Sequence, residues 1–182
     1  MTLHCTAFAG HRRIASGAPH EVIAAIKAAA VDAGAQVLVF DDADARPVEF
    51  DLRGDLDAVL ARLAPAPVEE KRGPGRPKLG VTAREVTLLP RHWDWLATQP
   101  GGASVALRKL VETALREAEG PDRVRKGREA AYRFMTAIAG DLAGYEDAVR
   151  ALFAGDAVGF AAAMAEWPED IRDYAAELAS PG

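Results

Sequence analysis

Apolar and polar positions alternate with two different periods in the first third of the chain. The runs "LHCTAF" and "RRIAS" are strand-like and flank Gly10 and His11, which predicts a hairpin. The run "PHEVIAAIKAAAVDAG" has helical spacing and predicts a helix that begins at Pro19 and ends near Gly34. Two further runs, "QVLVF" and "PVEFDL", predict strands, and "DLDAVLARL" predicts a short helix. We therefore predict a small α+β domain of order ββαββα over residues 1–64.

The last third of the chain has helical spacing throughout. One apolar stripe passes through Met135 and Leu142, and others come after it along the chain. Asp156 is placed to cap a later helix, and Pro168 is placed to begin the last one. Short helices with short connections predict a small helical bundle over residues 120–182.

A proline-rich stretch, "APAPVEEKRGPGRPKLG", separates the first domain from the rest of the chain. Prolines at this density oppose helix and favour an extended, solvated chain, so we predict a linker over residues 65–80. Its second part, "KRGPGRPKLG", carries four cations and no anion in a chain whose formal net charge is −5.

The segment after the linker, "AREVTLLPRHWDWLATQPGGASVALRKLVETALREAEG", predicts one strand and two helices. Val86 and Leu88 alternate with polar neighbours, as in a short strand. Pro90 suits the first turn of a helix, which the Gly-Gly pair ends. Ser104 suits the N-cap of the second helix.

This order of elements resembles the ribbon-helix-helix module of bacterial repressors and antitoxins over about residues 82–118. The resemblance implies an obligate homodimer that places an antiparallel ribbon of two strands in the DNA major groove. It also implies a phosphate bound by backbone amides at the start of the second helix. We therefore assign dimerisation and DNA binding to residues 81–119. The predicted dimer core consists of Val86, Leu88, Trp93, Leu96, Leu107, Leu110 and Val111.

The resemblance also implies which side chains of this segment face DNA. The predicted contacts are Arg84, Glu85, Thr87, Gly102, Ser104, Arg108 and Lys109. Glu85 departs from the pattern, because phosphates repel a carboxylate, although it could accept a hydrogen bond from a cytosine amino group. The opposite strand parity would direct Arg84 and Val86 outward and would bury Glu85 and Thr87. An αα-hairpin that only dimerises is the alternative.

The basic run of the linker resembles an AT-hook, in which an extended Arg-Pro segment lies in an A·T-rich minor groove. It departs from the usual Arg-Gly-Arg-Pro, because Pro74 and Gly75 precede the arginine. A solvated basic linker is the alternative. The cations that the resemblance assigns to DNA are Lys71, Arg72, Arg76 and Lys78.

The charge is distributed unevenly along the chain. Residues 1–70 have a net charge of −5, residues 71–128 of +7, and residues 129–182 of −7. A polyanion would be attracted to the middle only, and the acidic ends would oppose non-specific binding. The acidic ends could instead serve a protein partner.

Composition excludes several classes of protein. The single cysteine, Cys5, rules out an intramolecular disulfide. The start of the chain lacks the pattern of a signal peptide, and no apolar run is long enough to span a bilayer, so we expect a cytoplasmic protein with no membrane partner. The abundance of alanine and of arginine over lysine is typical of a GC-rich bacterial genome.

Catalytic and metal-binding patterns do not stand out. The spacing of His4, Cys5, His11 and His20 matches no zinc site, and we interpret the Asp-rich run "DDADAR" as a turn. No nucleophile elbow or phosphate loop is present. We therefore expect no enzyme activity and no cofactor.

Taken end to end, the chain resembles a bacterial family known as domain of unknown function 2239. The segments that carry this resemblance are "AFAGHRRIASG", "VLVFDD", "VEFDLRG", "GPGRPKLGVTAREVTLLPRHWDWLATQPGGAS" and "WPEDI". That family brings no established activity. The sequence thus predicts a homodimeric DNA-binding protein, either a transcriptional regulator or a nucleoid-associated factor. The alternative is a dimeric protein-interaction scaffold or an antitoxin-like protein without sequence-specific DNA binding.

Overall fold

The computed structural model of the chain describes residues 3–29, 36–63, 82 and 84–180. Within this part the protein has a mixed α+β architecture, with one three-stranded sheet and seven helices. The chain divides into two compact units. The composite unit consists of Met1–Ala64 together with Pro121–Gly182, and the central unit consists of Pro65–Gly120. The predicted linker, residues 65–80, lies outside the described residues.

The sheet begins with the predicted hairpin. Strands β1 (Cys5–Ala9) and β2 (Arg12–Gly17) are antiparallel, and β3 (Val37–Asp41) pairs with the other side of β1. Gly10 connects the first two strands with φ = 55°, in the left-handed region that glycine adopts without strain. The prediction of a hairpin around Gly10 and His11 is therefore confirmed.

Helix α1 (Pro19–Ala28) comes directly after the hairpin. Pro19 occupies its first turn, as predicted, and the Glu21 carboxylate accepts a hydrogen bond of 2.9 Å from the Ala18 backbone N–H. This bond satisfies an amide at a helix start that has no partner within the helix. The predicted end of this helix near Gly34 falls outside the described residues.

The predicted fourth strand, "PVEFDL", is wrong as a regular strand. It makes one isolated bridge, between Pro47 and Phe40, and the Val48 N–H donates to the Val39 carbonyl at 2.8 Å. Proline has no N–H and cannot extend the ladder from its own position. The observed order is therefore ββαβα, in which α2 (Leu56–Leu63) closes the sequence.

The remaining helices are α3 (Pro90–Ala97), α4 (Gly102–Ile138), α5 (Tyr145–Ala154), α6 (Ala157–Ala163) and α7 (Glu169–Ala179). Among the described residues, no helix is both long and apolar enough to cross a membrane.

Helix α4 differs from the prediction, because it is one helix of 37 residues where the sequence predicts two. Pro121 lies inside it, and proline removes one backbone hydrogen bond without ending the helix here. The predicted domain boundary at residue 119 therefore lies within a helix, although the division into units occurs at the adjacent Gly120. The predicted cap of α6 is confirmed, since an Asp156 carboxylate oxygen accepts a hydrogen bond of 2.9 Å from the Gly159 N–H.

The two-residue period of the strands explains how the composite unit is packed. On one face of the sheet, Cys5, Ala7 and Val39 pack with α1. On the other face, Phe8 and Phe40 pack with the C-terminal helices. Since alternate side chains point to opposite faces, a sheet that is apolar on both faces must be covered on both.

A cluster of aromatic rings joins the first and last segments of the chain. Phe134 of α4 lies 5.2 Å from Phe8 and from Phe40, measured between ring centroids, and 4.8 Å from Tyr174 of α7. All four side chains are buried. The sequence patterns predict residues 1–64 and 120–182 as two domains, whereas in the structure they share this core.

Hydrogen bonds link the same segments. The Tyr174 hydroxyl and the Thr6 hydroxyl both donate to one carboxylate oxygen of Asp42, at 2.8 and 2.7 Å. Asp170 of α7 accepts a hydrogen bond of 2.8 Å from the Arg13 backbone N–H of the edge strand β2. Because this N–H already has an acceptor, it cannot pair with a strand of another chain, and the contact therefore opposes edge-to-edge association of the sheet.

Candidate nucleic-acid interface

The central unit contains the segment that the sequence assigns to DNA. Its described residues are 82 and 84–120. Residues 84–89 form no strand with any other described residue. Since a strand requires a hydrogen-bonded partner, the predicted ribbon could form only between two chains. The side chains of Arg84, Glu85 and Thr87 are exposed, and that of Leu88 is half-buried.

Helix α3 begins and ends as its sequence indicates. Pro90 occupies the first turn, and the Thr98 hydroxyl donates to the Trp95 carbonyl at 2.7 Å after the last turn. Leu96 is the buried residue of this helix. Trp93, which the sequence places in the dimer core, is 42% exposed in the single chain.

The turn between α3 and α4 depends on two glycines. Gly101 and Gly102 have φ values of 86° and 75°, in the left-handed region that other residues seldom adopt. A Cβ atom at Gly101 would also lie 3.1 Å from Val105. The prediction that Ser104 caps the second helix is wrong, because α4 begins two residues earlier and Ser104 lies inside its first turn.

Cations of the central unit lie on its surface. Arg108 and Lys109 are exposed on α4, where they line a shallow groove with Arg116. The Arg108 Nε donates to the Ser104 carbonyl at 3.1 Å, so this guanidinium contacts its own helix. Among the described residues of this unit, no Lys or Arg forms an ion pair. Within the described residues, these positive charges are therefore not neutralised by a carboxylate in the same chain.

The acidic residues of the same segment balance its positive charges. Residues 84–120 contain five cations and five Asp or Glu residues, so their net charge is zero. The basic excess of the middle of the chain comes from residues 71–80 and 123–128, with four cations each. Lys71, Arg72, Arg76 and Lys78 belong to the first of these runs and lie outside the described residues.

Apolar side chains of the central unit are exposed to an unusual extent. Val86, Leu110 and Val111 are 56%, 49% and 54% exposed, and Leu115 is 59% exposed. Leu107 is half-buried. Of the seven residues predicted to form the dimer core, one is buried in the single chain. Such a face leaves apolar area in water, which favours association with another surface.

The composite unit contains the histidines and the cysteine that were considered as metal ligands. Within the described part of the chain, no group of three His, Cys, Asp or Glu residues could hold a metal ion. Burial, with Asp42 and Asp41 nearby, raises the pKa of the Cys5 thiol to about 11, so this thiol is not a ready nucleophile. Burial and the hydrogen bond with Asp42 raise the pKa of Tyr174.

The role of Asp42 was not predicted. The sequence places Asp42 in an acidic turn, whereas in the structure it accepts the two hydroxyl hydrogen bonds that tie β1 to α7. No local signal could have revealed this, because its partner Tyr174 is 132 residues away in the chain.

One bacterial family model covers nearly the whole chain. Residues 4–179 match the family described as an uncharacterised protein conserved in bacteria, DUF2239, and the chain belongs to this family. No curated protein and no solved structure matches the chain.

Proposed function

We propose that the protein is a homodimeric DNA-binding protein, a transcriptional regulator or a nucleoid-associated factor. Residues 71–119 would contact DNA. The observation that carries the proposal is that the central unit exposes its apolar face and that, among its described residues, its cations have no carboxylate partners. The exposed apolar face supports dimerisation, and the unpaired cations support binding to a polyanion.

The proposed dimer has the ribbon-helix-helix arrangement. Residues 84–89 of two chains would pair as an antiparallel ribbon, and Leu110 and Val111 would be covered by the partner subunit. A strand alone cannot satisfy its own backbone groups, so pairing between chains would stabilise it. The N–H groups at the start of α4, near Gly102, would bind a phosphate with Arg108 and Lys109 beside them.

The proposed role of the basic run is that of an AT-hook-like arm. It precedes the proposed ribbon directly in the chain, and Arg76 is the cation between Gly75 and Pro77. An arginine in this setting suits a narrow A·T-rich minor groove, where the negative potential is greatest. The arm would supply the positive charge that residues 84–120 lack on balance.

The test is DNA binding measured at several salt concentrations. Fluorescence anisotropy on random and on A·T-rich duplexes would compare the wild type with the double variant Arg76→Ala/Lys78→Ala. Each phosphate contact adds about 0.9 to the salt slope of log K, so a dimer that loses four cations should lose roughly two to four units of slope. The preference for A·T-rich DNA should shrink as well.

The matched control is Arg46→Ala/Arg150→Ala, which removes two exposed cations from the composite unit. We expect this control to keep the wild-type slope. A wild type that binds no duplex at low salt would exclude the proposed function, and a double variant with an unchanged slope would exclude the arm.

The second candidate is a dimeric protein-interaction scaffold or antitoxin-like protein. The specific observation in its favour is the balance of five cations and five acidic residues in residues 84–120. A stable dimer that does not bind DNA at low salt would support this candidate.

A further inference from the structure

A groove in the composite unit combines exposed apolar side chains with an arginine that has no ion-pair partner among the described residues. It lies between the middle of α4 and the junction of α5 with α6. Val124 and Phe153 border it, with 44% and 50% of their surfaces exposed, and Arg128 lies between its two adjoining hollows. We call it the Arg128 groove. Glu129, Gly155 and Asp156 also line it.

The position of Arg128 depends on a glycine. Gly155 ends α5 with φ = 74°, and a Cβ atom at this position would lie only 2.6 Å from Nη2 of Arg128. The Arg128 Nη1 approaches the Phe153 carbonyl at 3.5 Å, which is a long contact. The glycine therefore provides the space in which the guanidinium lies against the α5 terminus.

Neighbouring charges are already paired, whereas that of Arg128 is not. Arg125, one turn earlier on α4, forms ion pairs with Asp122 at 3.1 Å and with Glu129 at 3.0 Å. Asp156, on the other wall of the groove, accepts the N–H hydrogen bond that caps α6. No carboxylate of the described residues forms an ion pair with Arg128.

We propose that the Arg128 groove binds a segment of a partner protein in which an acidic side chain is flanked by apolar residues. The guanidinium would hold the carboxylate through two parallel hydrogen bonds, an arrangement that arginine provides and lysine does not. Val124 and Phe153 would cover the flanking apolar side chains. Arginine is enriched among the interface residues that contribute most to binding energy, and the contacts around such residues exclude water.

Charge favours a protein segment over a nucleic acid in this groove. Among the described lining residues, Arg125 and Glu129 neutralise each other, so the groove offers one unpaired cation, which suits an isolated carboxylate better than the repeated charges of a phosphate backbone. The Phe153 ring already makes an edge contact with Tyr132, at 5.6 Å between centroids. This contact holds the ring beside the groove and leaves half of its surface for a partner.

The proposal is tested with synthetic fluorescent peptides that differ at one central position. The probes are short leucine- and serine-containing peptides with a central Asp, Asn or Lys, titrated with the full-length protein. We expect saturable binding of the Asp peptide, and binding about tenfold or more weaker for the Asn and Lys peptides. Arg128→Gln should reduce binding of the Asp peptide by about tenfold and leave the Asn peptide unaffected.

Three further variants separate the contribution of the Arg128 charge from that of the apolar contact with Phe153. Phe153→Ser should weaken all three peptides, because it removes apolar contact. Arg123→Gln is the matched control, since Arg123 is an exposed cation of the same helix that does not line the groove. It should leave every affinity unchanged. Arg128→Lys keeps the charge and should recover only part of the loss, and circular dichroism checks that each variant is folded.

Three results would overturn the proposal. The first is no saturable binding of the Asp peptide up to about 1 mM, the weak end of specific recognition. The second is equal affinity for the Asp, Asn and Lys peptides. The third is displacement of the Asp peptide by a short oligonucleotide with loss of oligonucleotide binding in Arg128→Gln, which would assign the groove to nucleic acid.

Discussion

Large aromatic side chains form a buried core in the composite unit and are exposed in the central unit. In the composite unit, Phe8, Phe134 and Tyr174 are buried against one another. In the central unit, Trp93 and Trp95 are 42% and 50% exposed. Apolar burial is the main source of folding free energy, so the composite unit gains stability from its aromatic residues that the central unit, as a single chain, does not gain from Trp93 and Trp95.

Charges show the same contrast. Among the described residues, seven arginines of the composite unit form ion pairs, and none of the central unit does. Exposed ion pairs contribute little to stability, but they neutralise a surface. Cations that have no carboxylate partner within the described residues, next to exposed apolar side chains, form a surface of the kind that binds other molecules. The difference agrees with the proposal that the central unit dimerises and binds DNA, whereas the composite unit contains the shared aromatic core.

The largest expected effect concerns the shared aromatic core. Phe134→Ala leaves a cavity among Phe8, Phe40 and Tyr174 and should lower the free energy of unfolding by about 3–5 kcal/mol. Urea unfolding followed by far-UV circular dichroism measures this loss. Because Cys5 is buried in the sheet, its reaction with a thiol reagent reports unfolding of the first segment of the chain.

We expect the helical signal and the Cys5 reactivity to change at the same urea concentration. Val158→Ala, at a position that is 82% exposed, is the control and should stay within about 0.5 kcal/mol of the wild type. Two separate transitions would mean that the first and last segments fold independently.

The next effect concerns the exposed apolar face of the central unit. In a dimer that buries Leu110, Leu110→Lys would place two unpaired charges in the interface, at a cost of about 3 kcal/mol or more. Dimerisation, measured by analytical ultracentrifugation, should weaken by about a hundredfold or more. The thermal unfolding of the composite unit should hardly change.

Val158→Lys introduces the same charge on an exposed site of the composite unit and should leave association unaffected. A wild type that is monomeric at micromolar concentration would contradict the proposed dimer.

An intermediate effect concerns pH. The Cys5 thiol is neutral when protonated, and burial raises its pKa from 9.0 to about 11. Its contribution to stability is therefore complete below pH 9 and is lost as the pH rises from about 9 to about 11. The stability difference between the wild type and Cys5→Ala should shrink across this range by on the order of 1–3 kcal/mol.

Urea titrations of both proteins at intervals from pH 8 to about pH 11 measure this difference, and other titrating groups cancel in it. A difference that stays constant with pH would show that the thiol ionises as easily in the folded protein as in the unfolded one.

The smallest expected effect is on stability and concerns the first residues of helices α6 and α4. Asp156→Ala removes a true cap of α6 and should cost about 1 kcal/mol. Ser104→Ala lies inside the first turn of α4 and should change the stability by less than about 0.5 kcal/mol. Chemical denaturation of both variants measures the contrast. A larger loss for Ser104→Ala than for Asp156→Ala would mean that Ser104 caps α4 after all.

Local signals in the sequence predicted the elements whose formation depends on neighbouring residues. Gly10 marks the hairpin turn, Pro19 the start of α1, and Asp156 the cap of α6, and all three agree with the structure. Backbone sterics and hydrogen bonds to the next few amides decide these features, so a short window of sequence contains the information.

The sequence predicted which residues form the helices of the candidate interface, but not how exposed their side chains are. The helices around the Gly101–Gly102 turn could be read from the sequence, and so could the apolar stripe of α4. Which of those apolar residues remain exposed in one chain could not, because exposure depends on what the rest of the fold covers. The Arg128 groove was not predicted, since it depends on Gly155, which lies 27 residues further along the chain.

The tertiary structure alone decided how the ends of the chain come together. The alternating pattern of β1 and β3 shows that both faces of the sheet are apolar, but not which helices cover them. Phe8 packs against Phe134 and Tyr174, which lie more than a hundred residues further along the chain. Asp42 accepts a hydrogen bond from the Tyr174 hydroxyl over a similar separation in sequence. Apolar burial is non-directional, so it specifies that a partner is needed, and only the packing of the whole unit selects which one.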